Sequence, residues 1–123
     1  MLSLTEDLDE LQASVLRTLA SATRLRIIHA LSTGPSEVHD LADALGLTQS
    51  ATSQHLAAMR GAGVVEAARD GRIVQYRLSD RDLVVACDLL REVLLRRLTL
   101  LGDLAATADS ASRLDRVAVG AGR

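Results

Sequence analysis

A mainly α winged helix-turn-helix with a β-hairpin wing is the fold class that three stretches of this sequence predict. In the first, Val38, Leu41, Ala42 and Leu45 recur at i, i+3, i+4 and i+7, one apolar face of a short helix. In the second, Gly46 breaks that helix, Leu47 is a single apolar plug, and Thr48 is a good N-cap for a following helix that buries Thr52, Leu56 and Met59. A helix, a tight glycine turn and a second helix make a helix-turn-helix. In the third, Val64–Arg69 and Arg72–Leu78 are β-prone runs joined by Asp70-Gly71, a strong two-residue hairpin signal. A hairpin directly after a helix-turn-helix is a wing.

The remaining elements fall in place around these. Ser3 and Glu6 have capping-box spacing, and Leu8, Leu11, Val15 and Leu19 form a stripe, so α1 is predicted over 4–20. Its acids sit in the first turn, where the helix dipole favours them. The spacing predicts α2 from Thr23 to Ser32 with Leu25, Ile28 and Leu31 inward, ended by Gly34-Pro35. Ser36 is expected to cap α3, which ends at Leu45, and α4 follows over 49–61. The two β-prone runs are β1 and β2, in which Val74, Tyr76 and Leu78 alternate with Ile73, Gln75 and Arg77. Ser79 is expected to cap α5, with Asp80 and Asp82 in its first turn. Along α5, Leu83, Cys87, Leu90, Leu94, Leu98 and Leu101 form one stripe that Val84, Val93, Leu95 and Leu100 widen. So broad a stripe cannot be covered by one side of a small domain. Leaving five leucines in water would forgo roughly 1.5–3 kcal/mol each. A homodimer through α1 and α5 follows, with Leu8, Leu11, Val15, Leu83, Cys87, Leu90, Leu94 and Leu98 at its interface. The domain is expected to span 1–106, and 107–123, where the periodicity lapses, to be a frayed tail.

At 123 residues the chain is one domain's worth, and 48% of it is hydrophobic. With no Phe or Trp and one Tyr, the core must be aliphatic. No apolar run approaches the ~20 residues of a membrane span and no signal-peptide pattern opens the chain, so a cytoplasmic protein is expected. One cysteine, Cys87, excludes an internal disulfide and a CxxC zinc ribbon. The net charge of −2 argues at first against nucleic acid. Its distribution matters more: acids crowd the N-terminus, while 48–78 carries Arg60, Arg69, Arg72 and Arg77 against Glu66 and Asp70.

The outer face of α4 has an unusual composition. Gln49, Ser50, Ser53 and Gln54 are short, uncharged hydrogen-bonders where a solvated helix normally shows Glu and Lys. Gln and Ser bond base edges in the major groove, and Ser bonds phosphates as well. Arg72, near the hairpin tip, reads either as a solvated turn residue or as a contact to phosphates or a narrow minor groove. Double-stranded DNA is therefore the expected partner.

The chain resembles the ArsR/SmtB family of winged-helix bacterial repressors in three segments: LASATRLRIIHAL (19–31), DLADALGLTQSATSQHL (40–56) and RGAGVVEAARDGRIVQYRL (60–78). The resemblance implies the order α1-α2-α3-α4-β1-β2-α5, a dimer through α1 and α5, and an operator released when a metal or another signal binds. It also implies that Gln49, Ser50, Ser53 and Gln54 face DNA. The family's known sensor sites do not carry over. Its Cys-Val-Cys stretch on α3 reads Glu37-Val38-His39 here. Its α5 site matches Asp80 and Asp82, but Val93 and Arg96 stand at the later ligand positions. Its cysteines on the fourth helix are replaced by Ala58 and Ala62. Thr52 stands where the family more commonly has a branched apolar residue.

His39 and Asp43 share a helix face at i, i+4 and, with Glu37, are the remaining metal candidates; the alternative is a solvated His–Asp pair. Imidazole and carboxylates suit Ni²⁺ or Zn²⁺, whereas arsenic(III) wants thiols. His29 reads as a boundary residue and His55 as a structural hydrogen-bonder. Cys87 reads as a small hydrophobe, and only a bridge to the same residue of a second copy would give it a redox partner. No nucleophile–base set or phosphate loop points to an enzyme. The other class left open is a protein-interaction module or a regulator that needs a companion protein.

Overall fold

The computed structural model describes the backbone of residues 4–121 and the side chains of residues 4–110. The elements are α1 (Leu4–Leu19), α2 (Ala22–Leu31), α3 (Val38–Leu45), α4 (Gln49–Gly61), β1 (Val65–Asp70), β2 (Ile73–Leu78) and α5 (Asp82–Ala121). This is the winged helix-turn-helix order. The chain forms two compact units, one up to Cys87 and one from Asp88 onward, the latter being the rest of α5. Helical backbone continues to Ala121, past Thr107, where the sequence predicts a frayed tail. Ser3, expected to cap α1, lies outside the described residues.

The core is aliphatic, as the composition requires. Ile27 and Ile28 of α2, and Leu56 and Met59 of α4, are all 0% exposed. Leu19, Leu31, Leu41, Val64, Val65 and Leu78 complete the cluster. In α2 it is Ile27, not Leu25, that is fully buried; Leu25 packs half-buried at the edge. Thr52, where the resemblance leads one to expect a branched apolar residue, is also 0% exposed. Its hydroxyl donates to the Thr48 carbonyl at 2.8 Å, so the buried oxygen is satisfied inside its own helix.

The turn between α3 and α4 is set by Gly46, whose φ of 67° and ψ of 34° lie in the left-handed region that glycine enters without penalty. The Leu47 amide donates to the Ala42 carbonyl at 2.9 Å and the Gly46 amide to that of Asp43 at 3.3 Å. That pairing is a Schellman motif, which ends α3 and turns the chain sharply. Arg26 of α2 donates to the Leu45 carbonyl at 3.0 Å and helps satisfy the same helix end. Thr48 then caps α4, its hydroxyl accepting the Ala51 amide at 3.0 Å.

Three local expectations need correction. Ser36 does not cap α3: Glu37 holds the cap position without a side-chain bond, and Ser36 pairs with Tyr76. The Ser36 amide donates to the Tyr76 carbonyl at 2.9 Å and the Tyr76 amide to that of Ser36 at 2.8 Å, fastening the α2–α3 connection to the wing. Ser79 does not cap α5, because its hydroxyl donates to the Gly63 carbonyl at 2.5 Å. Asp80 takes the role, its carboxylate accepting the Asp82 amide at 2.9 Å. In the hairpin Asp70 pairs with Ile73, so the two loop residues are Gly71 and Arg72 rather than Asp70 and Gly71. Gly71 has φ +63° and Arg72 does not have positive φ, which fits a type II′ turn with glycine first.

The cap and the buried face of α4 make separate contributions to stability. Thr48→Ala should cost about 1 kcal/mol and Leu56→Ala about 2–5 kcal/mol, measured by urea denaturation at fixed protein concentration. A Leu56→Ala loss no larger than that of Thr48→Ala would contradict the packing described.

Candidate nucleic-acid interface

Burying Thr52, Leu56 and Met59 fixes which side of α4 faces outward. That side carries Gln49, Ser50, Ser53 and Gln54, all exposed as predicted, and continues through Ala57 to Arg60. α4 contains no acidic residue, and Arg60 is its only formal charge apart from the imidazole of His55. Uncharged hydrogen-bonders at the positive end of a helix, with one arginine further along, suit a polyanion carrying base edges. Arg60 is an exposed member of this face that composition marks only as charge; its helical spacing from Ser53 was the available signal.

α4 is clamped from behind. Arg24 of α2 donates through Nε to His55 Nδ1 at 3.2 Å and through Nη1 to the Thr18 carbonyl at 2.9 Å, joining α1, α2 and α4. His55 thus has the hydrogen-bonding place its sequence context suggests. His29 is half-buried, and its Nδ1 lies 2.8 Å from the Leu25 carbonyl one turn earlier.

In the wing, Arg72 is exposed in the hairpin loop and Arg69 is exposed on β1. Arg77 is engaged differently: it pairs across the strands with Glu66 at 3.0 Å. The positive charge left for a partner on residues 48–78 is therefore that of Arg60, Arg69 and Arg72, with Asp70 opposing.

The metal candidates are only partly brought together. His39 Nε2 lies 3.2 Å from Asp43 Oδ2, and Nδ1 lies 2.8 Å from the Gln49 amide nitrogen. Glu37 completes no set with them: among the described residues no group of three or more His, Cys, Asp or Glu is placed to hold a metal. The i, i+4 spacing puts His39 beside Asp43, but Glu37 precedes the helix and does not share its face.

The apolar surfaces of α1 and α5 are exposed in the single chain. Leu4, Leu8, Leu11 and Leu16 are more than half exposed on α1, as are Leu90, Leu94 and Leu98 on α5. Val15, Leu83 and Cys87 belong only in part to this surface, since they are half-buried against the core. Among the described residues no helix is long and apolar enough to cross a membrane. Leaving these leucines in water forgoes roughly 1.5–3 kcal/mol per fully buried side chain.

The element order and the hairpin that follows α4 define a winged helix-turn-helix domain. The model for "Bacterial regulatory protein, arsR family" matches residues 21–67. A CmtR transcriptional regulator of Mycobacterium bovis is 46% identical over 79 residues, 64% of this chain and 67% of that one. Two solved structures are also similar. One is a homodimeric winged helix-turn-helix DNA-binding domain from Mycobacterium bovis, described as a possible ArsR-family regulator. It has TM-score 0.71 and 30% identity, and covers 80% of this chain and 91% of that one. The other is the cadmium metal-sensor CMTR of Mycobacterium tuberculosis, with TM-score 0.58 and 44% identity over 67% of this chain and 85% of that one. The chain belongs to the ArsR family of bacterial regulatory proteins.

Leu94→Glu places a charge on the exposed apolar stripe of α5. It should give monomers or aggregates in light scattering where the wild type gives dimers, and a monomeric wild type at micromolar concentration would show that the stripe is not a dimer interface.

Proposed function

We propose that the protein is a homodimeric repressor whose two α4 helices read an imperfect palindrome and whose operator is released by an effector. The observation that carries this reading is the acid-free, exposed Gln/Ser face of α4, buried on its other side and capped at its start by Thr48. Two-fold symmetry sets the half-sites about one helical turn apart, roughly 34 Å. Gln49, Ser50, Ser53 and Gln54 supply base-edge and phosphate bonds, and Arg72 supplies a phosphate or minor-groove contact from the wing. This is a binding activity, and the similar regulators give no reason to assign an enzymatic one. Neither the fold nor the relatives call for a companion protein.

The effector class that the similar cadmium sensor favours is a metal ion. Glu37, His39 and Asp43 do not fit one, because they assemble no three-ligand set and both ring nitrogens of His39 already have partners. With three His and one Cys in the chain, nitrogen and oxygen donors outnumber thiols. Nickel or zinc is therefore the ion we propose, rather than cadmium.

Gln49→Ala or Ser53→Ala should reduce discrimination between operator and random duplex, by roughly 1–3 kcal/mol for each bidentate bond to a base that is removed. Arg72→Ala should weaken binding to all sequences alike and flatten its salt dependence by about one phosphate contact. Fluorescence anisotropy on the upstream DNA of the protein's own gene measures both effects. Equal affinity of the wild type for that DNA and for random duplex would contradict the repressor reading.

A further inference from the structure

The hydrogen-bonded row Gln49–His39–Asp43 crosses the turn of the helix-turn-helix and ends on the residue that opens the DNA-facing surface. Asp43 and His39 lie on α3, and Gln49 is the first residue of α4. His39 Nε2 is 3.2 Å from Asp43 Oδ2 and His39 Nδ1 is 2.8 Å from Gln49 Nε2. A carboxylate only accepts, so in the neutral ring the proton sits on Nε2 and Nδ1 is left as an acceptor. Gln49 then gives Nδ1 an amide N–H. The carboxylate thus sets the tautomer, the tautomer sets which end of the Gln49 amide turns inward, and the amide oxygen with its second N–H remains for a partner. One acceptor and one donor side by side are what adenine N6 and N7 require of a glutamine.

We propose that His39, held by Asp43, is a positioning residue for base recognition: it orients the Gln49 amide so that its oxygen and remaining N–H read an adenine edge in the operator. This rests on the reading of α4 as the recognition helix. The pair is largely exposed, with His39 and Asp43 side chains 62% and 70% accessible, so in the free protein it adds little to folding stability. Its effect belongs to the complex: a glutamine already held in one orientation has less rotamer freedom to lose when it meets a base. The device acts at the first reading position of α4, which α3 reaches through His39.

The test is selection of bound duplexes from a random library by the wild type, Gln49→Ala, His39→Ala, His39→Asn and Asp43→Ala proteins. The wild type should select a palindrome, and Gln49→Ala should lose preference at one adenine position in each half-site. His39→Ala should lose preference at the same position, by about tenfold, while the preferences that depend on Ser53 and Gln54 persist and show the fold intact. Asparagine can place its carbonyl oxygen near the position of Nδ1, so His39→Asn should restore the preference, and Asp43→Ala should weaken it. A wild type that selects no sequence would overturn the repressor reading itself. Given a selected palindrome, an unchanged preference in His39→Ala, or no restoration by His39→Asn, would overturn the positioning role and leave the repressor reading standing.

Discussion

The seating of α4 depends on Thr52, Leu56 and Met59, three side chains that solvent does not reach. Leu56 and Met59 join a core built with Ile27, Ile28 and Leu41 from the two preceding helices, and that burial sets the rotation of α4 about its own axis. Once the rotation is set, Gln49, Ser50, Ser53, Gln54 and Arg60 have only one direction in which to point. A cavity at Leu56 would therefore loosen the orientation of the polar face as well as lower stability, leaving Met59 as the remaining large buried side chain of α4. Arg24, reaching both Thr18 and His55, adds a polar clamp behind the same helix.

The turn and the wing extend this constraint to the rest of the first unit. Gly46 ends α3 in a left-handed residue, and Thr48 begins α4 two residues later, so the two helices are joined by a short, hydrogen-bonded connection. Ser36 pairs with Tyr76 of β2 and Ser79 holds the Gly63 carbonyl, so the wing is fastened to the α2–α3 connection and closed at its base. Arg72 is thus presented by a hairpin with fixed register, while the Glu66–Arg77 pair crosses its strands.

Much of this is legible in the sequence because periodicity and caps are local signals. The helical spacing of Val38, Leu41, Ala42 and Leu45, with Gly46 and Thr48 following, specifies α3, the turn and the start of α4. What is not legible depends on contacts distant in sequence. Ser36 and Ser79 have the composition of caps, but the Ser36 backbone bridges to Tyr76 while its hydroxyl donates to the Glu37 carbonyl, and the Ser79 hydroxyl is taken by the Gly63 carbonyl. Asp-Gly is a good loop pair and puts the hairpin turn one residue early, whereas the observed register gives the loop to Gly71 and Arg72. Thr52 looks out of place until its Thr48 partner is seen. At the candidate site, the outward residues of α4 follow from helical spacing. The engagement of His39 with Gln49 does not, since it crosses from one helix to the next, and it turns a metal candidate into a neighbour of the outward face of α4.

The central claim, that a dimer presents two copies of α4 to one face of a duplex, is tested most directly by hydroxyl-radical footprinting of the wild-type protein on its selected operator. Two protected segments are expected on the same face of the DNA, with centres roughly 10 base pairs apart and related by the palindrome's two-fold axis. A single protected segment, or uniform protection without a repeat, would contradict that claim.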